Sequence, residues 1–216
     1  MVEIIDEQQG QDVSIIVPHL SKRDKFFYEY VLPSLTENDP KEIIIVSDSG
    51  KAPVQRNKGF DVSTSSYITF WDDDSIMPSG YISKLIDALK SNKNYDFAYT
   101  GFLGFVTDPS VQPNHNFEIK SHPWDVETLK KGNYVTTESV IKRESYVDIR
   151  WDERLKRFQD WDLYIQFAKK GRSGLFVNNL QYMKFFLDEG ITSKGNNLQD
   201  AYRVLVNKHP DFFIKK

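Results

Sequence analysis

Residues 67–74 have the sequence Tyr-Ile-Thr-Phe-Trp-Asp-Asp-Asp, in which five β-branched or aromatic residues run directly into three consecutive aspartates. The first five residues do not alternate between strongly polar and apolar types, and a short run of this composition predicts a strand that is buried on both faces. The carboxylates of Asp72, Asp73 and Asp74 therefore follow the end of a buried strand.

Two similar runs, over residues 13–17 and 42–46, precede this strand in the chain. Pro18 stops the first run, and the turn-like Ser47-Asp48-Ser49-Gly50 ends the second. The other predicted elements of this half are helices over 24–35 and 52–61, a helix that Pro78 opens, and a strand over 95–100. Strands that are apolar throughout, with helices between them, predict an α/β fold whose mostly parallel central sheet is flanked by helices.

The second half of the chain has a less regular pattern. The predicted elements are a long loop over 105–123, a strand over 134–142, a helix over 160–170, one or two strands over 176–186, a polar stretch over 190–197 and a last helix over 198–207. At this length we expect one domain, 1–216. Within it, residues 12–104 would form a nucleotide-binding half and residues 105–216 an acceptor-side half.

The composition excludes several classes of protein. The net charge is −3, and interspersed lysines and acids give no electrostatic footprint for nucleic acid. The absence of cysteine excludes disulfides, thiolate zinc sites and cysteine nucleophiles, and it is typical of a reducing compartment such as the cytoplasm. No apolar run approaches the ~20 residues of a membrane span, and residues 1–11 are too polar for a signal peptide, so we expect no direct membrane insertion.

Three adjacent carboxylates repel one another, and a bound divalent cation offsets that repulsion. In an open α/β sheet, ligands bind at the carboxyl ends of the strands, where these aspartates lie. Their hard oxygens suit Mn²⁺ or Mg²⁺, which can in turn bridge to a diphosphate. In an extended segment Asp72 and Asp74 point the same way and share one site. The residues alone leave a second interpretation equally open, a solvated acidic turn that caps the following helix.

Six segments in order along residues 13–195 resemble the motifs of the family 2 glycosyltransferases of the GT-A fold. They are Ser14-Ile15-Ile16-Val17-Pro18, Ile44-Ile45-Val46-Ser47-Asp48-Ser49-Gly50, Gln55-Arg56-Asn57-Lys58-Gly59, Trp71-Asp72-Asp73-Asp74 in the place of the Asp-x-Asp metal motif, Trp151-Asp152-Glu153-Arg154-Leu155 and Phe158-Gln159-Asp160-Trp161-Asp162-Leu163. Ser47 departs from that family's pattern, which has an aspartate there, and Gln159 stands where the family has a glutamate. The landmarks are also similar to those of virus-encoded members of the family, which would act in a host cytoplasm.

The resemblance implies an inverting transfer of a sugar from a nucleotide-diphosphate sugar, most often a UDP-sugar, to a hydroxyl of a carbohydrate or glycoprotein glycan. Mn²⁺ or Mg²⁺ is the implied cofactor, with Asp74 as its ligand and Asp72 close to the ribose or a metal-bound water. Asp160 takes the position of the family's catalytic base, which accepts the proton of the acceptor hydroxyl. The residues expected to contact the nucleotide sugar are Pro18, Asp48, Arg56, Asp72, Asp73 and Asp74.

Simpler roles stay open for several of these residues. Asp160 stands at the predicted start of a helix, where aspartate is a common N-cap. Arg56 could be a surface arginine of its helix, and Asp48 could serve only the turn that contains it. The weaker candidates are His115 and His122 as ligands, Trp124 as an acceptor-stacking ring and Lys194 as a diphosphate contact; their simpler alternatives are loop and core roles.

Two other classes of enzyme have a similar sheet, and their motifs fit this sequence poorly. Sugar nucleotidyltransferases carry a glycine-rich loop after the first strand, where this chain has His19-Leu20-Ser21-Lys22-Arg23. Phosphatases with an Asp-x-Asp nucleophile place it after their first strand rather than the third. A catalytically inactive glycan- or nucleotide-sugar-binding module stays open as the alternative, because Ser47 and Gln159 depart from the family pattern.

Overall fold

The computed structural model describes residues 1–6, 10–48, 50–106, 116–187 and 198–213. Its strands, in chain order, are β1 (Val2–Asp6), β2 (Gln11–Pro18), β3 (Pro40–Val46), β4 (Tyr67–Phe70), β5 (Ser75–Ile76), β6 (Phe97–Val106), β7 (Asn116–Ile119), β8 (Val140–Lys142) and β9 (Gly174–Phe186). These strands form one sheet in the order β1-β3-β2-β4-β8-β6-β9-β5, with β7 paired to β6.

The sheet is mixed, which corrects the prediction of a mostly parallel sheet. β2 pairs in parallel with β3 and β4, and β6 pairs in parallel with β9. The remaining pairs are antiparallel, and β8 lies antiparallel between β4 and β6. β8 is only three residues long. The place of β8 in the sheet is set by its pairing with β4 and β6. The sequence of β8 alone carries no information about these pairing partners.

Helices cover the sheet. They are α1 (Asp24–Phe26), α2 (Leu32–Thr36), α3 (Ala52–Val62), α4 (Tyr81–Ser91), α5 (Val126–Leu129), α6 (Gln159–Lys169), α7 (Leu198–Lys208) and α8 (Pro210–Phe213). A π-helical turn, Phe27–Val31, joins α1 to α2. The helices predicted over 24–35, 52–61, 160–170 and 198–207 are confirmed to within a residue. Across the described ranges, every helix is too short or too polar to span a membrane.

Other predicted boundaries differ from the structure. The helix that Pro78 was expected to open begins at Tyr81, after Gly80, whose φ of 71° suits a glycine. Of the strand predicted over 134–142, only β8 belongs to the sheet, and the region 105–123 contains β7. Residues 176–186 belong to the single strand β9, and 190–197 lie outside the described residues.

Both faces of the sheet are packed. Successive side chains of a strand point to opposite faces, so neighbouring residues lie in different buried clusters. In β2, Ile16 lies in a buried cluster that includes Leu163 of α6. Its neighbour Ile15 lies in a second cluster, with Leu35 of α2 and Leu85 of α4. This double burial is why the central strands are apolar throughout, as their sequences predict.

The register of the sheet places the carboxyl ends of β2, β3 and β4 side by side, along one edge that runs across the strands. Pro18 at the end of β2 pairs with Val46 at the end of β3. Beside them, Ile16 pairs with Phe70 at the end of β4, and the Trp71 amide donates to the Ile16 carbonyl at 2.9 Å. The segments that follow these three strands therefore start from the same edge of the sheet.

A buried carboxylate joins α6 to the C-terminal helices. Asp162 of α6 is fully buried, and its Oδ1 lies 2.7 Å from His209 Nε2 and 2.7 Å from Lys208 Nζ. Gln166 donates to the other oxygen, Oδ2, at 2.9 Å. This carboxylate adds a buried polar contact to the apolar packing of α7 and α8 on α6, in which Trp161 contacts Tyr202 and Phe213.

The substitution Asp162→Ala is expected to lower the free energy of unfolding by about 1–3 kcal/mol, because it leaves His209 without its buried partner and Lys208 with Asp152 alone. Urea unfolding followed by circular dichroism measures the change. The matched control is Asp211→Asn, which removes an exposed partner of Lys169 and should leave the free energy of unfolding unchanged. A loss no larger than that of the control would contradict the structural role of Asp162.

Candidate functional site

A cavity of about 800 Å³ opens at the sheet edge where β2, β3 and β4 end. The sequence-predicted site residues that line it are Pro18, Arg56, Asp72, Asp73, Asp74 and Asp160. Residues from the first and second halves of the chain therefore line the same cavity. Of the predicted residues, Asp48 is not part of the lining; its Oδ1 accepts the Gly50 amide at 2.7 Å and its Oδ2 pairs with Lys58.

Asp73 anchors the segment that follows β2. Its side chain is buried, and its Oδ2 accepts the Leu20 amide at 2.9 Å and lies 3.1 Å from His19 Nδ1. Arg23 Nη1 lies 2.5 Å from its Oδ1. Burial lowers the pKa of His19, but its hydrogen bonds to Asp73 and Asp24 outweigh burial, and the net pKa is raised. Both oxygens of Asp73 are thus engaged by the protein itself.

Asp72 and Asp74 differ in how fully their oxygens are paired. Arg56 Nη2 donates to Asp72 Oδ1 at 2.6 Å, and Lys184 Nζ donates to Asp72 Oδ2 at 2.8 Å. Burial opposes ionisation of Asp72, yet Lys184 and Arg56 hold the pKa of this carboxyl well below its usual range. Asp74 Oδ2 accepts from Arg23 at 3.0 Å, whereas its buried Oδ1 accepts no hydrogen bond. Burial raises the pKa of Asp74.

The fit of these aspartates to a divalent cation rests on that one open oxygen. The described parts of the chain hold no group of three or more His, Asp or Glu side chains arranged for a metal ion. Mg²⁺, however, is commonly held by one or two carboxylates plus the phosphates of a substrate. Asp74 Oδ1 therefore fits a cation that shares its coordination with a phosphate ligand, while both oxygens of Asp72 are already paired.

Lys184 and Glu138 belong to this site, and the sequence patterns did not single them out. Glu138 is buried, and its carboxylate accepts from Tyr182 at 2.7 Å, Ser75 at 3.1 Å and Lys184 at 3.1 Å. Burial raises the pKa of Glu138. The predicted lysine, Lys194, lies outside the described residues, as does His115.

Arg56 connects the aspartates to helix α6. Besides its bond to Asp72, its Nη1 donates to Gln159 Oε1 at 3.2 Å, and its guanidinium lies 4.4 Å from the centroid of a Trp151 ring. The side chain is buried, so the alternative of a surface arginine is wrong. Gln159, at the position where the resemblance implies glutamate, accepts this bond without adding a further negative charge.

Asp160 lies in the first turn of α6 and is not its N-cap, because Phe158 holds the N-cap position with a φ of 57°. Asp160 Oδ1 accepts the Trp161 amide at 2.9 Å, and Oδ2 accepts Asn133 Nδ2 at 2.8 Å. Burial raises the pKa of Asp160, and these two hydrogen bonds offset part of that rise. A carboxyl with a raised pKa on the wall of a cavity is suited to accept a proton.

The two remaining candidates from the sequence lie away from the cavity wall. His122 stacks on Tyr134 with ring centroids 3.7 Å apart. Trp124 packs edge-on against Phe97, at 5.2 Å between centroids, as part of the buried cluster around α6. Trp124 is therefore an anchoring core contact, which is the simpler of the two roles considered for it.

A family model and the similar curated proteins all point to glycosyltransferases. The family model described as glycosyl transferase family 2 matches residues 29–150, more than half of the chain. Among curated proteins, the amylovoran biosynthesis glycosyltransferase AmsB of Erwinia amylovora is 26% identical over 179 residues, 79% of this chain and 59% of that protein. The uncharacterized glycosyltransferase MJ1057 of Methanocaldococcus jannaschii is 23% identical over 179 residues, 76% of this chain and 57% of that protein. The chain spans less than two thirds of either relative.

Solved structures with a similar fold include two complexes of S. aureus TarS residues 1–349. The complex with UDP-GlcNAc has a TM-score of 0.70 at 11% identity and covers 95% of this chain and 68% of that chain. The complex with UDP has a TM-score of 0.62 at 12% identity, with 95% and 67% covered. At these identities the similarity shows the fold alone, a GT-A-like α/β domain.

The substitution Asn133→Ala is expected to raise the pKa of the Asp160 carboxyl further, because it removes a hydrogen bond that favours the ionised form. The ¹³C chemical shift of the Asp160 carboxyl, followed through a pH titration by NMR, measures that pKa. Asn92→Ala, at an exposed asparagine that bonds only the end of α4, is the control and should leave the titration unchanged. An unaltered or lowered pKa in Asn133→Ala would show that Asn133 does not stabilise the carboxylate.

Proposed function

We propose that this chain, which belongs to glycosyl transferase family 2, transfers a sugar from a nucleotide-diphosphate sugar to a hydroxyl of a glycan, with inversion at the sugar carbon. The observation that carries the proposal is the shared cavity, which is lined by the aspartates after β4 and by the half-buried Asp160. One wall of this cavity suits a charged donor, and the other suits the removal of a proton.

Asp160 is the proposed base. Its two hydrogen bonds, from Trp161 and Asn133, fix the carboxylate and leave each oxygen a further lone pair for an acceptor hydroxyl. A raised pKa brings a carboxyl closer to the operating pH, where general-base catalysis is most efficient. The proton would pass from the acceptor hydroxyl to Asp160 as that oxygen attacks the sugar from the face opposite the departing diphosphate.

The donor would lie along the segments that follow β2, β3 and β4. Pro18 and the three aspartates line the cavity, and Arg56 and Arg23 hold those aspartates in place. Asp48, beside Gly50 at the end of β3, would contact the base or ribose from the rim. A UDP-sugar is the proposed donor, supported by the resemblance to family 2 enzymes and by the UDP-GlcNAc complex of TarS.

Mn²⁺ or Mg²⁺ is the proposed cofactor. Asp74 would hold it through the buried Oδ1 that accepts no hydrogen bond, and Asp72 is the proposed second carboxylate. When bound, such an ion neutralises the charge that builds on a departing diphosphate. The protein's own residues would bind and orient the donor and remove the acceptor proton.

Calorimetric binding of UDP, with and without Mn²⁺, tests the donor site. We expect UDP to bind at least about tenfold more tightly with Mn²⁺ than with EDTA, because Asp74 would hold the ion and the ion would supply positive charge for the diphosphate. Asp74→Ala should lose this metal-dependent gain, whereas Asp87→Ala, at an exposed aspartate of α4, should keep it. If neither UDP nor any other nucleotide binds under either condition, the glycosyltransferase proposal is wrong.

The substitution Asp160→Asn tests the base. UDP affinity should match that of the parent protein, because Asp160 faces the acceptor side. Turnover of a UDP-sugar, measured as transfer or as slow hydrolysis, should fall by about 10²–10⁴ because the proton acceptor is lost. Asp87→Asn serves as the control for turnover. Equal turnover in Asp160→Asn would contradict the assignment, and donor binding without any turnover in the parent would favour the inactive binding module.

A further inference from the structure

Lys184 places one ammonium group among three carboxylates. Its Nζ lies 2.8 Å from Asp72 Oδ2, 3.1 Å from Glu138 Oε1 and 3.5 Å from Asp74 Oδ1. Hard carboxylate oxygens around a single cation are also the surroundings that Mg²⁺ or Mn²⁺ prefers. The nearest of these contacts uses an oxygen of Asp72, and the longest reaches the open oxygen of Asp74.

The sheet determines this position of Lys184. In β9 the lysine pairs with Ser75 of β5, and the next residue, Phe185, donates its amide to the Asp74 carbonyl at 2.8 Å. On the other side, Lys184 is in register with Gly104 of β6. The lysine backbone is therefore held beside the aspartates by hydrogen bonds on both sides, and its side chain does not depend on a loop.

The charges of the site are nearly balanced by the protein itself. The carboxylates are Asp72, Asp73, Asp74 and Glu138, and the cations in contact with them are Arg23, Arg56 and Lys184. Burial lowers the pKa of Lys184, but the surrounding carboxylates outweigh burial and raise the pKa well above its ordinary value. Three carboxylate oxygens within 3.5 Å thus surround the Lys184 ammonium.

A divalent cation that binds without a diphosphate would have to displace Lys184 from its carboxylates, which is unfavourable. To reach Asp72 it would have to break the bond from Lys184, and the displaced ammonium would then lie close to a doubly charged ion. At low effective dielectric, such repulsion between like charges at a few ångströms is strong. A diphosphate that arrived alone would find the three cations beside the aspartates, Arg23, Arg56 and Lys184, already paired to carboxylates.

We propose that Lys184 makes the binding of the divalent cation and of the donor diphosphate depend on each other. In the ligand-free protein its ammonium holds Asp72 and Glu138; when the ion takes the carboxylates, the ammonium becomes available to the diphosphate. The inference rests on the proposed function. Because such coupling is reciprocal, the ion tightens the nucleotide and the nucleotide tightens the ion by the same factor.

Mn²⁺ binding in the absence of nucleotide, measured by electron paramagnetic resonance, tests the role of Lys184. The substitution Lys184→Met keeps most of the length of the side chain and removes its charge, so it should bind Mn²⁺ at least about tenfold more tightly than the parent. Lys184→Arg, which keeps the charge, should bind Mn²⁺ as weakly as the parent. Lys169→Met removes a lysine paired to exposed Asp211 and is the matched control.

If Lys184→Met binds Mn²⁺ no more tightly than the parent, the ammonium does not compete with the ion and the inference is wrong. Folding of each variant is checked by thermal unfolding. Should Lys184→Met not fold, Lys184→Gln, whose amide can still donate to Asp72, replaces it in the same comparison. We also expect Mn²⁺ to raise the Tm of the charge-removing variant more than that of the parent, and an equal rise would contradict the inference.

Addition of UDP separates this inference from the proposed function. In the parent, UDP should raise the Mn²⁺ affinity by a larger factor than it does in Lys184→Met. If UDP and Mn²⁺ both bind the parent but neither affects the other, the inference fails while the donor site stands. If UDP does not bind at all, the proposed function fails, and the comparison of Mn²⁺ binding between parent and variant still reports on Lys184.

Discussion

The arrangement of the cavity depends on the need to pair the carboxylates that follow β4, of which Asp73 is buried and Asp72 and Asp74 are only partly exposed. A buried charge without a partner costs several kcal/mol, so each of these aspartates requires a cation or a set of hydrogen bonds close by. The partners come from separate regions of the chain: Arg23 follows β2, Arg56 lies on α3 and Lys184 lies on β9. The pairing therefore brings distant segments to the same sheet edge and gives that edge a defined shape.

Arg56 extends this pairing from the donor side of the cavity to the proposed base. One guanidinium nitrogen bonds Asp72, another bonds Gln159, and the next residue of α6 is Asp160. A family 2 pattern with glutamate at position 159 would give Arg56 two anionic partners. The glutamine here keeps the hydrogen bond and leaves the positive charge of Arg56 shared mainly with Asp72. The departure from the pattern is thus compatible with an intact connection between the two sides of the site.

The proposed cation site and the Lys184 ammonium lie within the same few ångströms. Of the oxygens of these three aspartates, which all lie among the described residues, Asp74 Oδ1 is the one that accepts no hydrogen bond, and the Lys184 ammonium lies 3.5 Å from it. A protein that keeps its acidic cluster balanced in this way has less electrostatic strain when no ligand is bound. In the proposed reaction, the same balance would make a charged ligand bind well only together with its counter-charge, and so would couple cofactor and donor.

The sequence by itself determined the α/β class, the central strands and most helices, because hydrophobic runs and breaks are local signals. Ordered motifs also located Asp72, Asp73, Asp74 and Asp160, which share the cavity wall. Only the tertiary structure decided the mixed pairing of the sheet, which depends on contacts between distant segments. It also decided the places of Lys184 and Glu138. Lys184 lies 112 residues from Asp72 in the sequence, and no periodicity or motif spacing predicts their contact. The register of the sheet brings the two residues together.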